Sequence, residues 1–175
     1  ITASGCGTTV KDYGHMFRDE PVYAAQATAI ASIAKDITEV LDLCGLPQLD
    51  ATGVRVTYHS ACSMQHGQKL TTLPQKLLRR AGFTVSDVPE GHLCCGSTGT
   101  YNMLQPDIAD QLKARKLDNI ATTRADIIAA GNLGCITQLQ SGLTQPMLHT
   151  IELLDWAYGG PKPEALKDMP HDTSH

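Results

Sequence analysis

The residues best suited to chemistry in this 175-residue chain are its six cysteines: Cys6, Cys44, Cys62, Cys94, Cys95 and Cys135. Soft thiolates select zinc, copper(I) or iron–sulfur clusters. Disulfides compete for an even cysteine count. Adjacent cysteines such as Cys94-Cys95 pair only with strained geometry, and a chain long enough for one well-buried core does not need such staples. A metal or cluster site is therefore the favoured reading. Thiol–disulfide catalysis by the vicinal pair ranks last, since only His92 stands near it as a base. Gly96, Gly99 and Gly134 let backbone N–H groups approach sulfur closely, which stabilises the negative charge of a thiolate cluster.

The elements that must position these thiols follow from the pattern of apolar residues. Val54–Tyr58, Phe83–Val85, Asp126–Gly131 and Pro146–Thr150 read as short strands, rich in β-branched and aromatic residues or bounded by Gly and Pro. Between them lie helices over about Leu73–Ala81, Asp107–Thr123 and Ile136–Ser141, and Ile151–Tyr158 closes the series. Ile108, Leu112, Leu117 and Ile120 form the apolar side of the second of these. Strands alternating with helices imply an α/β fold: a mostly parallel four-stranded sheet flanked by helices. Cys62 follows the first strand, Cys94 and Cys95 the second, and Cys135 the third. All then gather at the carboxyl edge of the sheet, where open α/β folds build their sites.

Ahead of the first strand, Asp19-Glu20-Pro21 opens a helix of about six turns that runs to Cys44, with Gly45 as its stop. Ile30, Ile33, Ile37, Val40, Leu41 and Cys44 recur along it at helical spacing. Cys44 is thereby assigned to the core as an inert thiol. Residues 1–18, with Gly5, Gly7 and Gly14 around Cys6, read as a loop-like entry. His59 and His92 precede cysteines closely and are either ligands, donors to the sulfurs or satisfied structural histidines. His171 and His175 lie in a polar tail. Gly96-Ser97-Thr98-Gly99 lacks the Lys of a phosphate loop and the Gly spacing of a dinucleotide site.

A formal charge of −4 and a sequence pI near 5.9 give no electrostatic footprint for nucleic acid. No apolar run approaches the roughly 18–20 residues of a membrane span. The chain opens on Ile1 rather than Met, so it reads as a piece of a longer protein.

At Cys62…Cys94-Cys95-Gly96…Cys135 the sequence resembles the cysteine-rich CCG domain of the heterodisulfide reductase family. Within that family, Tyr58–Cys62, Gly91–Gly96, Gly131–Gln138 and His149–Trp156 are similar to the iron–sulfur subunits of glycolate oxidases. Family members carry two such repeats, and Ala3–Val10 echoes Asn132–Leu139. The resemblance thus implies that residues 1–18 end a preceding CCG repeat, residues 19–160 form a CCG α/β domain and residues 161–175 are a polar tail.

The resemblance also implies an iron–sulfur cluster as cofactor, held by Cys62, Cys94, Cys95 and Cys135, with Cys6 as a further ligand if the amino-terminal segment folds over the crevice. His59, His92 and Gly96 would stand around it. The family motif ends in Cys-x-x-Cys, whereas Gln138 takes the last position here. That leaves four thiolates from this repeat, a number that suits a four-cysteine iron–sulfur centre or a tetrahedral zinc site. The implied role is electron transfer from flavin-containing glycolate oxidase subunits towards an acceptor such as the quinone pool, as glycolate becomes glyoxylate. A ferredoxin-like region of the same full-length subunit is the other implied partner. The implied location is cytoplasmic, compatible with peripheral association at the inner membrane. The alternative is a zinc-stabilised docking domain without redox activity.

Overall fold

The computed structural model describes residues 1–169. Its centre is a parallel sheet of β1 (Arg55–His59), β2 (Thr84–Asp87), β3 (Ile127–Ala130) and β4 (Met147–His149), in the order β2-β1-β3-β4. Val56 pairs with Val85 on one side and with Ile127 on the other, which sets the register of the central strands. The chain leaves β1 for one neighbour, then crosses back to place β3 on the opposite side. A crevice therefore opens at the carboxyl ends of β1 and β3, the switch point where such sheets bind ligands.

Alternation along the strands divides the core between the two faces. On one face Val56, Tyr58, Ile127, Ala129 and Leu148 pack with Leu77 and Leu78 of α5 (Leu73–Arg80) and Leu153, Leu154 and Trp156 of α9 (Thr150–Ala157). On the other, Ile128, Ala130 and Met147 pack with Ile120 of α7 (Pro106–Thr122) and with Cys135, Ile136 and Leu139 of α8 (Leu133–Gln140). Cys95 belongs to this second face. The expected parallel α/β architecture is observed. After Gly160 the chain sets Leu166 fully into the first cluster.

The amino-terminal region departs from its sequence reading. Residues 1–18 are not a loop: α1 (Ser4–Lys11) and the short α2 (Tyr13–Met16) occupy them. The single six-turn helix is two, α3 (Ala24–Ile33) and α4 (Ile37–Cys44). The break is caused by Asp36, a buried N-cap whose Oδ1 accepts from the Thr38 backbone N–H at 2.9 Å, while Glu39 accepts from the Asp36 N–H at 2.8 Å. This reciprocal cap starts a new helix and redirects the face of α4. Ile33 and Leu43 are consequently exposed, and so is Cys44, contrary to its assignment to the core. On α7, Ile120 is buried as expected and Leu112 and Leu117 are half-buried, but Ile108 is exposed and Ala109 and Lys116 are buried. The short α6 (Tyr101–Leu104) precedes α7 directly. Among the described residues no helix is long and apolar enough to cross a membrane. His171 and His175 lie outside them.

Candidate metal centre

Each thiol arrives at the crevice by a different local device. After β1 the chain turns through Cys62 into a π-type helical turn, Ser63–Gly67. Such turns are rare and concentrate at functional sites. After β2 the chain crosses over the sheet edge, and the turn at Cys94-Cys95-Gly96 seats on α7. Gly96 has φ of 88°, and a Cβ there would stand 2.4 Å from the Ala109 carbonyl oxygen. Only glycine accepts that backbone and that approach. After β3, α8 starts at once and carries Cys135 in its first turn.

The result is a line of sulfurs. Neighbouring thiols act on one another in sequence, Cys62 with Cys94, Cys94 with Cys95, and Cys95 with Cys135. His59, at the end of β1, stands with Cys95 and Cys135 in a buried group whose ligand atoms lie within 4.8 Å of one another. Neither ring nitrogen of His59 finds a hydrogen-bond partner of good geometry, although the ring is 1% exposed. Buried polar atoms are nearly always satisfied. All six cysteines are free thiols. The described site is thus rich in soft donors and includes an orphaned imidazole, a donor set that fits a thiolate-bound metal or cluster.

The electrostatics separate the sulfurs into two kinds. The neighbouring Cys62 and Cys95 thiols pull the Cys94 thiol far below the ordinary range, helped by Thr98 and the Gly96 N–H. The Thr98 Oγ1 lies 2.9 Å from the Cys94 sulfur, and the Gly96 N–H donates to it at 3.3 Å. Cys95 likewise holds Cys135 down to about 5, against burial, with His59 and Asn132 contributing. Asn132 Nδ2 donates to the Cys135 sulfur at 3.5 Å. Cys62 and Cys95 are pushed up, by the neighbouring sulfurs and by burial. The protein thus favours thiolates at Cys94 and Cys135, the form in which cysteine binds metal.

A cavity of about 540 Å³ opens over this line, walled by Cys62, Cys95 and Cys135 on one side and by Ala3, Gly5 and Cys6 of the amino-terminal segment on the other. The segment is fastened there by backbone and side-chain bonds. The Ser4 N–H donates to the Gly131 carbonyl at 3.1 Å, the Ser4 and Ser63 hydroxyls lie 2.7 Å apart, and Gln68 Nε2 donates to the Ser4 carbonyl at 2.9 Å. The amino-terminal segment does fold over the crevice, with Cys6 at its mouth.

His59 and Gly96 therefore stand among the sulfurs. His92 is exposed in the turn before Cys94. Gln138, at the position of a missing fifth cysteine, accepts from Asn102 Nδ2 at 3.0 Å and ties α8 to α6. Thr98, Asn132 and Lys116 do not stand out in the sequence. Thr98 falls three residues after Cys95 in the same turn, and Asn132 three before Cys135, which is the only local signal they carry.

The sequence that builds this site has known relatives. Residues 56–140 match the family model of the cysteine-rich domain CCG. Over 157 residues the chain is 40% identical to the glycolate oxidase iron-sulfur subunit of Escherichia coli K12, covering 89% of this chain and 39% of that protein. It is 31% identical over 143 residues to lactate utilization protein A of Bacillus licheniformis, covering 79% of this chain and 60% of that protein. A probable glycolate oxidase iron-sulfur subunit of Bacillus subtilis matches at 28% over 145 residues, 81% of this chain and 33% of that protein. The chain thus spans two to three fifths of the first two of these relatives.

Proposed function

Since residues 56–140 are a cysteine-rich domain of the CCG family, we propose that the chain is the iron–sulfur electron-transfer part of a glycolate oxidase-type complex. Its ligands are Cys62, Cys94, Cys95 and Cys135, with Cys6 closing the site from the amino-terminal helix. The observation that carries this reading is the meeting of four free thiols from three separate chain segments at one switch-point crevice. An iron–sulfur cluster supplies one-electron redox chemistry that no side chain offers. The chain's own residues hold and surround it. Gly96, Thr98 and Asn132 aim donors at sulfur, which orients the thiolates and tempers their charge. Met64, Ile128 and Leu139 exclude water from beneath.

The names of the relatives support a subunit role in the oxidation of a 2-hydroxy acid. In that role the electrons come from a flavin-containing subunit and leave through a ferredoxin-like region of the longer polypeptide. The setting proposed is the cytoplasm, with docking at the inner membrane.

Anaerobic reconstitution with iron and sulfide tests the ligand set. The parent chain is expected to give a paramagnetic signal on reduction, and Cys95→Ser and Cys62→Ser to lose it. A full signal in both variants excludes the assignment. A second reading rests on the compact His59, Cys95 and Cys135 group, a mixed nitrogen and sulfur set of the kind that holds structural zinc. Uptake of one zinc in preference to iron favours it.

A further inference from the structure

Lys116 is 1% exposed, on the face of α7 that also buries Ala109 and Ile120. Its ammonium donates to the neutral carbonyl of Glu90 at 3.0 Å. The Glu90 carboxylate is occupied elsewhere, by Arg115 Nε at 2.9 Å and Asn119 Nδ2 at 2.9 Å. Among the described residues no ion pair neutralises Lys116. An ammonium carries three donors and here has one described acceptor. Burying such a charge without a counter-ion is unfavourable.

Two contacts lead from α7 to the turn that bears Cys94 and Cys95. Gly96 packs against Ala109, two helical turns before Lys116 on the same buried face. Glu90, whose carbonyl accepts the Lys116 hydrogen bond, leads directly into the turn bearing Cys94 and Cys95. Burial draws the ammonium below the ordinary lysine range, and Cys95, Glu90, Cys94 and Cys135 draw it back. The charges that act on Lys116 are thus mainly those of the sulfur site.

We propose that Lys116 is the buried counter-charge of the thiolate site, a positioning residue that offsets the negative charge of the group held there and raises its reduction potential. This rests on the site being a metal–thiolate centre. A fixed cation nearby favours the more negative, reduced state. It also holds the loop ahead of Cys94 through the Glu90 carbonyl.

The test uses Lys116→Met and Lys116→Gln, which remove the charge with little change of length, and Lys116→Arg, which keeps it. After anaerobic reconstitution, iron and sulfide per chain are measured and the centre is titrated electrochemically. Both neutral variants are expected to lower the reduced-to-oxidised ratio at a fixed potential about tenfold, about 59 mV for one electron, with Lys116→Arg close to the parent. Neutral variants with parental iron content and parental potential overturn the proposal, as do neutral variants that cannot fold. If the parent takes up no iron, the redox reading fails, and cobalt(II) titration of the same chains decides on Lys116. Roughly tenfold weaker binding in the neutral variants supports it, and equal binding overturns it. A parent that binds neither metal sinks both readings together.

Discussion

Cys6 and Cys135 hold the same position in their helices, each the third residue, the one in α1 and the other in α8. Both sulfurs belong to residues that wall one cavity. The starts of the two helices are tied together by the bond from the Ser4 N–H to the Gly131 carbonyl, just ahead of α8, and Gly5 faces Asn132. The sequence echo between Ala3–Val10 and Asn132–Leu139 is therefore also a structural one. It brings a second helix start to the mouth of a site that favours thiolates.

The two positions differ in burial: Cys135 is 2% exposed, whereas Cys6 is exposed. Cys135→Ser is expected to abolish iron binding. Cys6→Ser should retain iron but change the spectrum of the reduced centre. Iron and sulfide analysis with electron paramagnetic resonance distinguishes the two; identical spectra for parent and Cys6→Ser would remove Cys6 from the ligand set.

Gly96→Ala should destabilise the chain and the site together. The left-handed backbone alone costs a non-glycine residue about 1–2 kcal/mol. The new Cβ would also meet the Ala109 oxygen at 2.4 Å, so either the turn or α7 must shift. Denaturant unfolding is expected to show a loss above ~1 kcal/mol, accompanied by reduced metal content. A parental midpoint with full metal content contradicts the packing described.

In the metal-free reduced protein, pH acts through two opposed pairs. Cys135 is held down to about 5 and Cys94 lies lower still. Depressed thiols contribute stability that is present above the ordinary thiol range near 8.5. That contribution declines as pH falls, and the part from Cys135 is gone below about pH 5. Cys62 and Cys95 are raised, so the folded state keeps their protons and loses stability above the ordinary thiol range. Thermal unfolding should therefore show a maximum near the ordinary thiol range at about 8.5, and metal binding should flatten it. At pH 6 iodoacetamide should label Cys94 faster than Cys62, since both are half-buried but only Cys94 favours the thiolate. Mass spectrometry of the labelled peptides checks the order.

Cys44→Ser is expected to change stability by less than ~0.5 kcal/mol, the usual range for an exposed position, and to leave metal content unaltered. A loss of several kcal/mol would mean that Cys44 is covered after all.

That exposure marks where the sequence is misleading. Ile30, Ile33, Val40 and Cys44 keep a helical period across Ala34–Asp36, and periodicity alone reads straight through the break. The signal is Asp36 followed three residues later by Glu39, a capping box inside an apparently continuous helix. The sheet is legible because each strand is short, apolar and bounded by turn residues. The parallel order then forces Cys62, Cys94, Cys95 and Cys135 to one edge whatever the loops do. His59 and His92 are indistinguishable by spacing. Strand alternation separates them: His59 ends β1 on the face of the sulfurs, while His92 sits in an exposed turn. Lys116 is hidden because a lysine on a charged helix reads as solvent-facing. Its ammonium meets the Glu90 carbonyl, 26 residues away in the chain, and such a long-range contact leaves no local signal.

The central claim is that this crevice holds a redox-active iron–sulfur centre. The most direct measurement is iron, sulfide and zinc per chain after purification without oxygen, with absorption spectra before and after dithionite. The account predicts iron with matching sulfide and a visible band that bleaches on reduction. Zinc without iron, in a protein with no visible band, would contradict it.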